Sequence, residues 1–204
     1  RLSTPYGPPA FRALRAALDQ VQAGDPLAAV TVLVHSNAVG VAARRWLAAN
    51  GGVAAAQFVT AFRFAELLGG QSLAASGRRP VSTPVIDVAV RQVLDASTGI
   101  FRPIAHHQAT ITAVRTTYRE LRHVPHALRN HLADHGSVRG REVVRLCGDV
   151  RRVLQRDWYD EADLLHAARG AAAQAPPRTI VFLPQRLRPT EQTLLDALSE
   201  HGEV

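Results

Sequence analysis

Apolar positions along the chain follow two rhythms. Near the start, Phe11, Leu14 and Leu18 recur at helical spacing, and Gly24 followed by Asp25-Pro26 predicts where that helix ends. The run AVTVLVHS, residues 29–36, is continuous, apolar and rich in β-branched side chains. That is the signature of a strand covered on both faces of a parallel sheet. Ser36 or Asn37 can cap the next helix, which runs through AVGVAARRWLAA to Asn50-Gly51-Gly52. AQFVTAF, residues 56–62, reads as a second strand leading into RFAELL, with Gly69-Gly70 closing that helix. Strand, helix, strand, helix in this order predicts a parallel sheet with right-handed crossovers.

From residue 84 to 174 one helical pattern follows another with no strand between. Thr83 supplies an N-cap and Pro84 a first helical residue, and Ile86, Val90 and Val93 form an apolar stripe. Ile111, Val114, Tyr118 and Leu121 form a second stripe. Pro125 opens a short helix carrying Leu128 and Leu132, and Val143, Leu146, Val150 and Val153 mark a longer one. The strand pattern returns at RTIVFLP, residues 178–184, and TEQTLLDAL makes a helix capped by Thr190 that ends near His201-Gly202. Glu203-Val204 falls where an α/β chain would begin another strand. The expected organisation is an α/β part over 1–80, a helical insertion over 81–175 and a return to the α/β part over 176–204.

At 204 residues, 47% apolar and 20% charged, the chain fits one globular domain, or a domain with an insertion. No apolar run approaches the ~20 residues of a membrane-spanning helix, and no signal-peptide pattern opens the chain. No membrane partner is expected. The single Cys147 allows no internal disulfide, which favours a reducing, cytoplasmic setting. With Arg1 first and no Met, the expectation is a segment cut from a longer polypeptide. A net charge of +7 favours an anionic partner, nucleic acid ahead of a membrane surface, although a GC-rich coding sequence and a solvated surface account for it equally well. All 24 basic residues are Arg. Without Lys there is no Walker lysine, no Schiff-base lysine and no lysine of a D…E-x-K nuclease site.

The stretch TPYGPPAF sits where a nucleotide-binding chain would keep its phosphate loop. Such a loop needs backbone N–H groups, a Lys and a Ser or Thr in the pattern G-x-x-x-x-G-K-[ST]. Here Gly7 is followed by Pro8 and Pro9, which donate no N–H. On the Arg-rich segment 138–156, Arg141, Arg145, Arg152 and Arg156 fall within roughly 60° of one another at 100° per residue, opposite Val143, Leu146 and Val150. A solvated face is the favoured reading there, ahead of a stripe that tracks phosphates. Asp157, Asp160, Glu161 and Asp163 invite a metal reading, but Asp160 is well placed as an N-cap with acids in the first turn, and capping is favoured. Trp158 and Tyr159 read as core or subdomain-contact aromatics. His131 and His135 share a helix face, with His106, His107, His123 and His126 nearby, yet no H-E-x-x-H or acidic partner accompanies them and zinc is disfavoured. Cys147 reads as a small core residue, and no nucleophile elbow surrounds Ser3 or Ser36. Neither a metal nor a cofactor is expected.

The order of elements resembles the first motor domain of UvrD-like superfamily 1 helicases. VTVLVHSNAVGVAARRWLA is similar to that family's motif Ia, whose turn grips the single-stranded DNA backbone; Ser36 and Asn37 occupy the turn, and Arg44 and Arg45 lie farther along the helix. FVTAFRFAELL is similar to the next DNA-contacting motif, with Thr60, Ala61, Phe62 and Arg63 at its Thr-Phe-His-Ser turn. TIVFLPQRLRPTEQTLLDAL resembles the Walker B strand and its following helix, but Leu183-Pro184 stand where active members place Asp-Glu. With Tyr6 and Gly7 in place of a phosphate loop, the resemblance implies a degenerate ATP site lacking its Lys, metal carboxylate and base. DWYDEADLLHAA and PTEQTLLDAL extend the resemblance to AddB-type helicase-nuclease subunits and, more narrowly, to actinobacterial PD-(D/E)XK nuclease family proteins.

The resemblance implies a P-loop-NTPase-like parallel sheet with flanking helices and an inserted all-helical subdomain. It further implies an inactive helicase-like scaffold in DNA repair, with the nuclease in a C-terminal domain beyond residue 204. Its partners would be single-stranded DNA, the remaining domains of the longer protein and a helicase subunit. The DNA-binding candidates are then Ser36, Asn37, Arg44, Arg45, Thr60, Phe62 and Arg63. Two other readings stay open: a protein-interaction scaffold that never touches DNA, and an α/β domain that binds a small ligand where Ser36, Thr60 and Pro184 converge.

Overall fold

The computed structural model describes residues 3–184 and 187–201. The chain forms two compact units, one from Arg1–Gln71 with Leu165–Val204 and the other from Ser72–Leu164. The chain passes from one to the other inside two helices, α3 (Ala61–Ala75) and α8 (Glu161–Gly170).

In the first unit, α1 (Pro8–Val21) leads into β1 (Val30–Val34), α2 (Asn37–Ala49) and β2 (Ala56–Thr60), and β5 (Thr179–Phe182) and α9 (Pro189–Ser199) complete it. The three strands are parallel in the order β2-β1-β5. The fold is α/β around a small parallel sheet. β1 is central and buried at all five positions, as its unbroken apolar run predicts. Val30, Val32 and Val34 pack with Leu14 and Leu18 of α1 and with Ala43 and Leu47 of α2, and the Phe11 ring stacks on Trp46 at 5.7 Å between centroids. Thr31 and Leu33 point to the opposite face and are buried as well.

The glycines agree with the sequence reading at the end of α2 and depart from it in α3. Asn50 caps α2, and Gly51 and Gly52 follow with φ of 96° and 71°, the left-handed conformation a helix end requires. Gly69-Gly70 do not close α3, which continues to Ala75 and gives way at Gly77 with φ of 78°. Gly69 serves packing instead: a Cβ there would lie 2.6 Å from the Ala168 backbone nitrogen. β2 also stops at Thr60, two residues early, because Ala61 and Phe62 open α3. α9 starts at Pro189 with Arg188, not Thr190, at the cap, and the Arg188 N–H donates to Glu191 Oε2 at 2.8 Å. Glu203-Val204, read as the start of a strand, lie outside the described residues.

The second unit holds α4 (Thr83–Ala96), α5 (Gln108–Arg122), α6 (His126–His135) and α7 (Val138–Leu154) around a core that includes Ile86, Val90, Ile111, Tyr118, Leu146 and Val150. The cap of α4 is Ser82 rather than Thr83. This stretch is not strand-free: β3 (Arg79–Pro80) pairs in parallel with β4 (Trp158–Tyr159). Two residues are too short to print an alternation, so the ladder left no mark in the pattern. Leu128 and Leu132 of α6 and Val153 of α7 are exposed instead of core. No helix among the described residues is long and apolar enough to cross a membrane.

Candidate functional site

Val34 pairs with Thr60 on one side and with Phe182 on the other, so all three strands end level. Each end turns at once into a different chemistry. After β1 come exposed His35 and half-buried Ser36, whose Oγ accepts from the Val39 N–H at 3.4 Å and caps α2. The next residue, Asn37, is exposed at the first position of that helix. At the end of β2, Thr60 Oγ1 accepts from the Arg63 N–H at 3.3 Å and so caps α3, while Phe62 and Arg63 are exposed. Two hydroxyl-capped helix starts therefore stand on one edge of the sheet, on neighbouring strands spaced ~4.8 Å apart. Such starts carry unpaired N–H groups and the positive end of the helix dipole.

The other candidates are not all on that edge. Arg44 shares the face of Asn37, seven residues on, but stands roughly 10 Å down α2 at 1.5 Å per residue. Arg45 is next to it and turned ~100° away. Both are exposed. Arg63 is at the edge, with its guanidinium held by Glu66 at 2.9 Å. His35, which the sequence reading passed over, adds an exposed imidazole beside Ser36; only its position as the first residue past a buried strand could have marked it.

Between β1 and β5 the strand order reverses, which is where open parallel sheets usually place ligands. That point is bordered by His35 and Ser36 on one strand and Leu183 and Pro184 on the other. Leu183 has a left-handed φ of 49°, and it places no carboxylate there. The α1 start lies close by, since the Phe11 ring meets Phe182 at 5.8 Å between centroids. Tyr6 is 73% exposed. Gly7, with φ of 85°, takes the N-cap position, and its carbonyl accepts from the Ala10 and Phe11 N–H groups. Pro8 and Pro9 have none to give. The first turn of α1 thus offers no free N–H from residues 8–11, the reverse of a phosphate-binding helix start.

In the second unit the acidic segment WYDEADLL is a structural lock. Asp160 Oδ1 accepts from the Asp163 N–H at 3.0 Å, the capping role expected for it. It also takes two bonds from Arg122, at 2.6 and 3.1 Å, and one from the Tyr118 hydroxyl at 2.9 Å. Asp163 bridges Arg122 and Arg78 at 2.5 and 2.6 Å. Burial pushes the Asp160 carboxyl up, but the hydrogen bonds and charge of Arg122 outweigh it and hold the group below the usual carboxylate range. Burial, and then the Asp160 charge, push the Tyr118 phenol well above its ordinary value. No spacing rule links residues 40 apart, so only the cap was visible in the sequence.

The arginine face of α7 is largely self-neutralised. Arg145 binds Glu142 and Asp149 at 2.6 and 3.0 Å, Arg152 binds Asp149, and Arg141 donates to the Gly136 carbonyl. Arg156 is exposed. Trp158 packs against the helical core with the Arg79 guanidinium 4.5 Å above its ring. Cys147 is buried. His131 and His135 stack at 4.7 Å between centroids on an exposed face. Among the described residues, no three or more His, Cys, Asp or Glu side chains gather to hold a metal ion. No protein-family model and no curated protein matches the chain.

Proposed function

We propose that this chain is a helicase-like scaffold without ATP chemistry, which guides single-stranded DNA across the carboxyl edge of its sheet. The observation that carries the reading is the level ending of β1 and β2, which sets the Ser36-capped and Thr60-capped helix starts side by side. Neighbouring helix starts, an exposed amide at Asn37 and an exposed ring at Phe62 are the parts needed to hold a phosphodiester backbone and stack a base. Arg44 and Arg45 supply charge farther along the path. The proline-blocked start of α1 and the Leu183-Pro184 turn support the loss of phosphoryl transfer from a P-loop-like ancestor, since residues 8–11 offer no free N–H and Leu183 and Pro184 carry no carboxylate.

In this reading the chain works as part of a longer DNA-repair protein with a separate C-terminal nuclease domain, in the cytoplasm, against its other domains and a helicase subunit. Binding of labelled single-stranded DNA across a salt series, with magnesium-ATP titrated in parallel, tests it. A guide binds DNA with a steep negative slope of log K on log salt, about −0.7 per phosphate contact, and does not bind ATP. Absence of DNA binding at low salt, or tight magnesium-dependent ATP binding, refutes it.

A further inference from the structure

The second unit contains a cavity of about 290 Å³ between α5, α6 and α7. Its wall carries four arginines, Arg122, Arg129, Arg151 and Arg152, and no carboxylate. Arg122 and Arg152 have acidic partners outside that wall, in Asp160 with Asp163 and in Asp149. Arg129 and Arg151 have no ion pair among the described residues, and the Nε of each is buried with no hydrogen-bond acceptor. A wall with four guanidinium groups and no carboxylate, two of those groups without an acidic partner, is an arrangement that an oxyanion would complement. Burial, then the nearby charges of Arg151 and Arg122, push the Arg129 guanidinium below its ordinary range. The rest of the wall is partly apolar, with Leu121, Val144 and Cys147, and Gly148 leaves open space where a side chain would stand.

We propose that this cavity binds a phosphomonoester, with the phosphate taken by Arg129 and Arg151 and an organic body of about nucleotide size against the α7 wall. Guanidinium groups suit this ligand because their planar donor forks match phosphate oxygens, and a phosphomonoester carries close to two negative charges at neutral pH. The volume exceeds what inorganic phosphate needs and matches the lower end of small-molecule sites. The site is in a different unit from the sheet edge and stands whether or not that edge binds DNA.

Calorimetric titration of the whole chain with AMP, inorganic phosphate and adenosine tests this. AMP binds, phosphate binds more weakly and adenosine does not. Arg129→Gln and Arg151→Gln each weaken AMP binding by about tenfold or more. Gly148→Leu, which fills the space without touching charge, also weakens it. The two arginine variants melt at or above the wild-type temperature without ligand, because each removes an uncompensated charge; a merely structural arginine would lower it. Single-stranded oligonucleotides with and without a 5′-phosphate identify the source of the group: a preference for the phosphorylated strand assigns the site to DNA ends, and equal binding assigns it to free phosphomonoesters. Equal binding of AMP and adenosine, no AMP binding at millimolar concentration, or unchanged AMP binding in both arginine variants overturns the proposal.

Discussion

Replacing Asp160 by Asn keeps the shape of the side chain and its capping oxygen but removes its charge. The change isolates one question, what the buried ion pair with Arg122 contributes to the second unit. The two side chains are 13% and 8% exposed, so Arg122 cannot turn to water when its partner is neutralised. Orphaning one member of a buried pair costs about 3–5 kcal/mol. Asp163 still holds one guanidinium nitrogen at 2.5 Å, which reduces the expected loss to about 2–3 kcal/mol. Asp149→Asn is the matched control: its arginine partners are 47% and 73% exposed, and such surface pairs are worth at most about 1 kcal/mol. Urea unfolding followed by far-UV circular dichroism measures both.

The pH dependence follows with a fixed sign. The folded pKa of Asp160 lies below its unfolded value, so its stabilisation is complete above about pH 4 and fades as pH falls through the lower folded value. The gap between wild type and Asp160→Asn therefore narrows below about pH 4. A loss under about 1 kcal/mol, or one no larger than that of Asp149→Asn, refutes the buried-lock reasoning.

Adjacent glycines on α3 give opposite outcomes. Gly69→Ala puts a Cβ 2.6 Å from the Ala168 nitrogen and lowers the melting temperature, whereas Gly70 has nothing within 4 Å and Gly70→Ala stabilises by about 0.5–1 kcal/mol. A thermal melt of the two variants that ranks them the other way contradicts the packing role of Gly69. Burial pushes the Cys147 thiol up to about 12, so at pH 8 only about one molecule in ten thousand carries a thiolate. Labelling with a thiol reagent should then track unfolding in urea, and fast labelling of the native chain would refute it.

What could be read from the sequence was whatever a local period encodes. The continuous run at residues 29–36 marked the central strand, since a strand buried on both faces shows no alternation and few other segments look like it. The helix stripes at Ile86, Val90 and Val93 and at Ile111, Val114 and Tyr118 marked core for the same reason. Ser36 and Asp160 were legible as caps because capping is a matter of one to three residues. The role of Gly69 was not, because a helix-ending glycine such as Gly51 and one admitting a neighbouring backbone read alike. Leu128 and Leu132 misled because helical spacing shows a stripe without showing that anything covers it. The unpaired Arg129 and Arg151 left no trace at all, as their distinction is the absence of an acid in space, not in sequence. At the sheet edge the candidates were legible one by one, and Arg44 could be placed two turns from Asn37 by its spacing, but that Ser36 and Thr60 stand level follows only from the strand register.

The sheet edge as a DNA path is tested most directly by a pair of charge-and-shape variants at fixed low salt. Asn37→Asp places a negative charge at the start of α2 without changing its size, and Phe62→Ala removes the exposed ring; neither residue is buried. Arg156→Ala, an exposed position just past α7 and outside the cavity wall, serves as the basic-surface control. The account predicts that the two edge variants each weaken single-stranded DNA binding by about tenfold or more, as expected for a lost backbone contact or stacked base, while the control stays within about twofold. Edge variants that bind as wild type does, or a control that loses as much as they do, would contradict it.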